Sequence, residues 1–246
     1  FDLNLVTGWN KPQYAQMGLW PGDEYFGLRY EYGEEYATIL KELWTTGKSD
    51  FKGRFYQLDD CQLGLVPDKP VGLICAGQSD RGLKFTAEYG DYSDILGQGT
   101  GVEGVSEVVG RVEAACARAE RSLTTLLVVL VVLAETDEEA EAKVARYVEH
   151  ADTRAIATMQ GDASLDANGS TAGLLTNAGN ATFQNLEKII GSPSTVAAYF
   201  DELAEIESLE GVIMVFDEAI AGLEMFGNEV LPRMRSRAAD PATASS

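Results

Sequence analysis

The feature that most constrains the fold is an apolar run near the middle of the chain, Leu123 to Leu133 (LTTLLVVLVVL). A run of this kind is typical of a strand in a parallel sheet that is buried on both faces. The longest stretch without a polar residue, Leu126 to Ala134, is far shorter than the ~20 residues that span a bilayer. The run therefore predicts a buried parallel strand and not a membrane helix.

Other short apolar segments alternate with segments of helical periodicity on both sides of this run. In the first segment Phe1, Leu3 and Leu5 alternate with polar residues, which places Asn4 on the opposite face. The remaining strand candidates are Val71–Ala76, Tyr92–Leu96 and Gly211–Phe216, the last predicted to be buried. Strands that alternate with helices indicate a parallel α/β sheet. About five strands are visible, so the pattern leaves open a doubly wound sheet or part of a (β/α)8 barrel.

The long polar and aromatic loop after the first strand leads into a helix that runs to about Trp44. Asp23 can cap the start of this helix, and Gly47 is expected to end it. The segment Asp50–Leu58 then predicts a small hairpin that turns at Lys52–Gly53. These elements form one strand, one loop and one helix before the next core strand.

The second half of the chain carries further helix signals around one less regular segment. The pattern Thr136-x-x-Glu139 is a capping box, and Gly191-Ser192-Pro193 predicts another helix start. A final helix is expected over residues 222–235. Residues 160–185 are rich in small and polar residues and are predicted to form an insertion loop, and residues 238–246 a disordered tail.

Charge and cysteine content limit the class of partner and the compartment. The formal net charge is -20 over 246 residues, which argues against nucleic acid and anionic membranes as partners, because both would repel this surface. An acidic surface is also a common means of staying soluble. Cys61, Cys75 and Cys116 are widely spaced and odd in number, so we expect free, packed thiols and a cytoplasmic location.

The residues that could carry chemistry are mostly neutral or cationic. His150 is the only histidine and is expected on the surface, so neither a Ser-His-Asp arrangement nor a metal site is predicted. The chain contains neither GxGxxG nor GxxxxGK[ST]. What remains lies mostly at the carboxyl ends of predicted strands, where parallel α/β folds bind ligands: Asn4, the Thr7-Gly8-Trp9 loop, Arg29-Tyr30 and Gln78-Ser79.

Ser79 and Arg29 are the two residues that suit an anion. Ser79 lies at a strand-to-helix turn and offers a hydroxyl beside exposed backbone N–H groups, and Arg29 offers a charged fork. A phosphate-bearing cofactor would fit this pair. In the alternative interpretation Ser79 only caps its helix and Arg29 only pairs with a nearby glutamate.

Four long motifs resemble a known family. They are NLVTGWNKPQYAQMGLWPGDEYFGLRYEYGEEY, LWTTGKSDFKGRFYQLDDC, ICAGQSDRGLKFTAEYGDY and FDEAIAGLEMFGNEVLP. Together they resemble the pyrimidine (uracil) monooxygenases of the bacterial luciferase-like, flavin-dependent superfamily. The resemblance runs from Phe1 to about Arg237 and is weaker over residues 101–185.

The resemblance implies a (β/α)8 TIM barrel with FMN at the carboxyl mouth of its strands. The segment Phe1–Val6 would then be about the fourth barrel strand, so this chain would be N-terminally truncated and lack roughly the first three βα units. We accordingly expect a single partial barrel domain over residues 1–237.

The resemblance also implies roles for five residues. Asn4 would contact the flavin and help to form the pocket where O2 meets it, which makes Asn4 the one expected catalytic residue. Arg29, Tyr30 and Ser79 would bind FMN, with Ser79 on the phosphate. Gln13 occupies a position that is acidic in the family, and it can form hydrogen bonds to the flavin but cannot supply charge.

The implied activity is an FMN-dependent monooxygenase that uses reduced flavin and O2 to open the uracil ring in pyrimidine degradation. A separate NADH-dependent flavin reductase would supply the reduced FMN. Two alternatives stay open: a sister enzyme acting on a sulfonate, sulfone or aminopolycarboxylate, and an inactive fragment. For this chain alone we expect weak or no FMN binding, and the sequence leaves open its oligomeric state, a homo-oligomer included.

Overall fold

The computed structural model describes residues 1–8, 10–97, 99–163, 183 and 186–238. The strands in this part of the chain are β1 (Leu3–Leu5), β2 (Lys48–Ser49), β3 (Cys61–Gln62), β4 (Leu73–Cys75), β5 (Tyr92–Leu96), β6 (Thr124–Leu133), β7 (Glu187–Gly191) and β8 (Gly211–Phe216). The helices are α1 (Lys11–Gln16), α2 (Tyr25–Thr46), α3 (Asp80–Tyr89), α4 (Gly101–Ala119), α5 (Asp137–Glu149), α6 (Thr153–Ala163), α7 (Pro193–Leu203), α8 (Ala219–Met225) and α9 (Arg235–Ala238). None of these helices is long and apolar enough to cross a membrane.

The described residues form two compact units. The first contains residues 1–94, 111–124 and 162–163, and the second contains the other described residues. One partial barrel domain over residues 1–237 therefore stays a prediction. The predicted parallel α/β arrangement is confirmed, because strands alternate with helices along the chain and the core strands pair in parallel within each unit.

Parallel pairing in the first unit places β4 between β1 and β5. Leu3 is opposite Leu73 and Leu5 opposite Cys75, so the apolar residues of the two strands share one face. That face packs against a buried cluster that includes Tyr30, Ala37, Leu73, Cys75 and Phe85. Asn4 lies on the other face and is exposed, as the alternation predicted.

The start of α2 differs from the prediction, whereas its end agrees with it. Gly47 ends the helix in the left-handed conformation with φ 76°, and its N–H donates to Leu43 O. Asp23 does not cap the helix, because its carboxylate accepts hydrogen bonds from Lys11 Nζ and, at 3.3 Å, from Trp20 Nε1. Those partners come from the predicted loop, which folds in part into α1, with Asn10 Oδ1 accepting from Gln13 N–H at 3.2 Å.

The predicted hairpin is present, but it turns two residues later than Lys52–Gly53. The Gly53 N–H donates to Tyr56 O at 2.9 Å across the turn. The Glu35 carboxylate of α2 fixes this position by accepting hydrogen bonds from three successive backbone N–H groups, those of Arg54 (2.6 Å), Phe55 (2.9 Å) and Tyr56 (3.0 Å). The turn is therefore placed by a contact with a distant helix, which the local sequence does not contain.

The second unit is built on β6, the apolar run, which pairs in parallel with both β7 and β8. The side chains of Leu127, Val129 and Val131 are fully buried, as expected. The prediction of a buried last strand is wrong for β8, because Ile213 and Val215 are 38% and 44% exposed. In the described chain β8 pairs with β6 alone, so β8 lies at an edge of that pairing.

Strand β7 was not predicted from the sequence. Its residues EKIIG begin with two charged side chains, but Glu187 is buried. Glu187 Oε1 accepts a hydrogen bond from Tyr199 Oη at 2.7 Å, and Oε2 accepts from the Gly101 N–H at 3.4 Å. These two donors compensate for the buried carboxylate and allow a charged residue inside the strand.

Caps predicted in the second half of the chain are confirmed. Thr136 and Glu139 form the reciprocal capping box of α5, and Ser192 Oγ accepts from the Thr195 N–H at the start of α7. The final helix is interrupted, since α8 continues into a π-helical turn over 226–230 and a 3-10 turn over 231–233. Residues 160–163 of the predicted insertion belong to α6, and most of the rest of it, like tail residues 239–246, lies outside the described residues.

Replacing Leu73 by alanine tests the core of the first unit. Leu73 is fully buried, so Leu73→Ala should lower the free energy of unfolding by about 2–5 kcal/mol through lost burial and the cavity it leaves. The matched control is Leu65→Ala, because Leu65 is 89% exposed and should change that free energy by no more than about 0.5 kcal/mol. Urea unfolding measures both, and equal effects would contradict the core described above.

Asp201 in α7 should make the second unit sensitive to acid. Burial raises the pKa of the Asp201 carboxylate. Hydrogen bonds from the backbone N–H groups of Ser236 and Arg235 and from Arg235 Nε outweigh this effect and hold the pKa below its usual range. A lowered pKa stabilises the folded state above the unfolded-state pKa, and this stabilisation is lost as the pH falls through the folded-state pKa. Asp201→Asn should therefore destabilise the protein at neutral pH and less so in acid, as measured by urea unfolding across pH.

Candidate active site

The carboxyl ends of β1 and β4 in the first unit lead directly into the predicted ligand-binding residues. Gly8 follows β1 with φ 77°, and a Cβ added there would lie 2.5 Å from Tyr14 Oη. Glycine is therefore required at this position for two reasons, the positive φ and the close approach. Tyr25 Oη donates to Thr7 O at 2.6 Å and ties the same loop to α2.

Ser79 follows β4 and begins α3. Its Oγ accepts a hydrogen bond from the Gly82 N–H at 3.1 Å, which is the geometry of a helix N-cap. A Cβ added at Gly77 would lie 2.6 Å from the Gly82 Cα, so the turn is as tight as the sequence predicted. The interpretation of Ser79 as a cap is thus correct, and a role on phosphate stays a prediction.

Arg29 and Tyr30 lie on α2, and Tyr30 reaches the start of α3. A Cβ added at Gly82 would lie 2.7 Å from Tyr30 Oη, so the phenol lies directly against the first turn of α3. Arg29 is buried, donates from Nη1 to Phe26 O at 2.6 Å and stacks with its guanidinium carbon 5.0 Å from the centre of the Tyr30 ring. The structure therefore brings Tyr30 next to the turn that Ser79 caps.

Arg81 is a cation near this turn that the sequence did not single out. Its guanidinium carbon lies 5.6 Å from the centre of the Tyr30 ring, and it donates to Gly27 O and to Glu31 Oε1. Tyr30 thus has the guanidinium groups of both Arg29 and Arg81 within cation–π distance of its ring. The spacing SDR, with arginine in the first turn of a helix, was the available signal.

Asn4 has a partner that was also missed, Asp94 of β5. Asn4 Nδ2 donates to Asp94 Oδ2 at 3.4 Å. The other oxygen, Asp94 Oδ1, is buried without a hydrogen-bond partner in the described structure. Burial raises the pKa of Asp94, and this effect outweighs the hydrogen bonds from Asn4 and from the Asp94 backbone, which lower the pKa. An acidic residue inside a short apolar strand was the signal that could have identified it.

Gln13 lies on α1, between β1 and α2 in the chain. It is exposed on α1, and its backbone N–H donates to Asn10 Oδ1. In the described part of the chain no hydrogen bond joins Gln13 to Asn4, Arg29, Tyr30 or Ser79, so its predicted flavin contact stays a prediction. Trp9 of the same loop lies outside the described residues. His150 is exposed at the end of α5, with Nδ1 2.9 Å from Arg146 O, as expected for a surface residue.

The second unit has a cavity of about 350 Å³ at the ends of β6 and β8. Lys143 lines it and lies 2.7 Å from Glu218 and 3.6 Å from Asp217, while Tyr147 Oη donates to Asp217 Oδ2 at 2.8 Å. The lysine is thus paired with two carboxylates. Because its charge is already compensated, we assign this cavity no part in binding an anion.

The residues around α3 fit a phosphate-bearing cofactor. The first turn of that helix presents backbone N–H groups and a serine hydroxyl, which are donors that a phosphate can use. The glycines at 77 and 82 keep the backbone free of Cβ atoms at the closest approach.

A parallel α/β fold with tight strand-to-helix turns defines the class of this protein, and the family follows from comparison with known proteins. Residues 1–208 match the luciferase-like monooxygenase family, so the chain belongs to that family. It is 45% identical over 241 residues to the pyrimidine monooxygenase RutA of Methylorubrum extorquens (strain PA1), covering 96% of this chain and 65% of the relative. Identity to the RutA of Serratia proteamaculans is 41%, covering 100% of this chain and 69% of the relative. The chain therefore spans about two thirds of the length of these relatives.

Solved structures show the same fold at low sequence identity. A riboflavin lyase (RcaE) structure with modified FMN and riboflavin matches with a TM-score of 0.75 at 19% identity, covering 96% of this chain and 64% of that one. The EDTA monooxygenase (EmoA) from Chelativorans sp. BNC1 matches with a TM-score of 0.71 at 17% identity, covering 100% of this chain and 68% of that one. The predicted α/β fold of the luciferase-like type is confirmed, whereas barrel closure and the absence of three βα units stay predictions.

Proposed function

We propose that the protein is an FMN-dependent monooxygenase that uses reduced FMN and O2 to open the ring of uracil or a related pyrimidine. The observation that carries this proposal is the 45% identity, over 96% of the chain, to a relative named pyrimidine monooxygenase. The same proposal includes a separate NADH-dependent flavin reductase as the source of reduced FMN. It also includes a cytoplasmic location, which the free thiols Cys61, Cys75 and Cys116 support.

In this proposal the residues around α3 bind the cofactor. Ser79 and the first-turn N–H groups of α3 bind the FMN phosphate, and Arg29 and Tyr30 bind the cofactor beside them. The support is geometric, because Tyr30 Oη lies against Gly82 and Arg29 stacks on Tyr30. Gln13 contacts the flavin through neutral hydrogen bonds and supplies no charge where the family has an acidic residue, so the affinity for the flavin or its electronic properties differ from the family's.

Asn4 is the catalytic residue of the proposal. It is exposed on the face of β1 opposite the apolar cluster, and its amide can donate and accept hydrogen bonds where flavin, O2 and substrate meet. Reduced FMN, when bound, supplies the electrons that activate O2. The chain's own residues orient the reactants and stabilise developing charge, a task that needs no titrating histidine.

Turnover of uracil tests the function. The protein expressed at its natural length, with any sequence that flanks these residues, should consume uracil and form the ring-opened product when given O2, FMN, NADH and a flavin reductase. Product analysis by mass spectrometry with ¹⁸O2 should find one labelled oxygen atom in the product. Turnover of a sulfonate, sulfone or aminopolycarboxylate without uracil consumption would favour the sister activity instead and contradict the proposal.

A comparison of variants at two serine N-caps, Ser79 and Ser192, distinguishes a role in phosphate binding from a role in helix capping alone. Ser79→Ala and Ser192→Ala each remove an N-cap hydroxyl, so each should lower the free energy of unfolding by about 1 kcal/mol. Only Ser79→Ala should also weaken FMN binding, by about tenfold, because one hydrogen bond to a charged phosphate is lost. Flavin fluorescence titration measures the affinity, and equal FMN affinity of the two variants would leave Ser79 as a cap alone.

A further inference from the structure

Asn4 and Asp94 form a polar pair on a sheet face whose opposite side is packed with apolar residues. In β5 the neighbours of Asp94, Ser93 and Ile95, are buried, so the alternation directs Asp94 to the same face as Asn4. β4 lies between the two strands, with Ile74 paired to both Asn4 and Tyr92. The pair thus spans three strands of the first unit.

The hydrogen bond between the two side chains is long and leaves several polar groups available. The separation of Asn4 Nδ2 and Asp94 Oδ2 is 3.4 Å, beyond the usual range for N–H···O bonds. The Asn4 amide has a second N–H and a carbonyl oxygen, and Asp94 Oδ2 can accept a further donor. The protein itself provides no donor in the described structure for the buried Oδ1 of Asp94.

We propose that Asn4 and Asp94 form a two-point recognition site for the lactam edge of a ring, a ring N–H beside a ring carbonyl. Asp94 Oδ2 accepts the ring N–H, and Asn4 Nδ2 donates to the ring carbonyl. A donor and an acceptor side by side on the protein match an acceptor and a donor side by side on the ligand. Two parallel hydrogen bonds of this kind fix orientation as well as position.

A neutral ring suits this pair better than a cation does. Burial already raises the pKa of Asp94, and the described hydrogen bond to its side chain comes from a neutral amide, not from lysine or arginine. A carboxyl in this setting gains a hydrogen bond from a ring N–H without the cost of desolvating a second charge.

This inference rests on the proposed function for the identity of the ring, and two sources share the required chemistry. A pyrimidine substrate such as uracil carries lactam edges, and so does the pyrimidine portion of the flavin ring. Methylation of the ring nitrogen removes the N–H from either ligand. The pairs uracil with 1,3-dimethyluracil and FMN with 3-methyl-FMN therefore distinguish the two sources.

The experiment measures equilibrium binding of these four ligands to the natural-length protein and its variants by calorimetry. Asp94→Leu should weaken the lactam ligand about tenfold, and Asp94→Asn should weaken it less, since the amide still offers an acceptor. The methylated ligand should bind the wild type about tenfold more weakly than its parent does. The Asp94→Leu variant should bind the methylated ligand and its parent with equal affinity. The matched control is Asp68→Leu, an exposed aspartate of the same unit, which should leave all four affinities unchanged.

The outcomes separate this inference from the proposed function. If Asp94→Leu removes the difference in affinity between uracil and its methylated form but not that between FMN and 3-methyl-FMN, the site binds the substrate. If it removes only the difference for FMN, the site binds the cofactor. Unchanged affinities in Asp94→Leu, or no binding of either parent ligand to the wild type, would overturn the site. Binding with the expected variant effects but no oxygenation of uracil would support the site and contradict the proposed function.

Discussion

The packing of α2 and α3 against one face of β1 and β4 is the interaction on which the rest of the first unit depends. Leu73 and Cys75 from the sheet, Ala37 and Tyr30 from α2 and Phe85 from α3 share one buried cluster. Tyr30 belongs both to this core and to the candidate site, because its ring lies 5.7 Å from that of Phe85 while its hydroxyl lies against Gly82. Core packing therefore also positions the residues expected to bind the cofactor, and a loss of packing at this point would disturb both.

The alternation of side chains along each strand places apolar core residues on one face of the sheet and the polar pair Asn4 and Asp94 on the other. Leu3 and Leu5, the residues before and after Asn4, face the core cluster, so the Asn4 side chain must lie on the opposite face of the sheet. The same rule applied to β5 places Asp94 beside it. A register shift of one residue in β1 would turn Asn4 toward the core, and the same shift in β5 would turn Asp94 there, so the apolar packing specifies the polar pair.

Much of this architecture could be predicted from the sequence because its signals are local. The apolar run of β6, the alternation in β1, the glycine that ends α2 and the capping box of α5 each lie within a few residues of the feature they determine. The misses depend on side-chain partners outside the element concerned. Glu35 moves a hairpin turn, Lys11 and Trp20 take Asp23 away from a helix start, and Tyr199 makes a buried glutamate acceptable in β7. Of the five residues named for the site, the positions of Asn4 and Ser79 followed from local pattern, whereas the Asn4–Asp94 contact required the strand pairing.

The two interpretations of Ser79 that the sequence left open are compatible with each other. A serine hydroxyl has one hydrogen to donate and two lone pairs that accept. Capping the Gly82 N–H uses one lone pair and leaves the hydroxyl hydrogen free to point at a phosphate oxygen. The same bond holds Oγ at the start of α3, where the partial positive charge of the helix favours an anion. Capping is therefore the means by which the side chain is held in place to bind, so Ser79 can fill both roles with a single conformation.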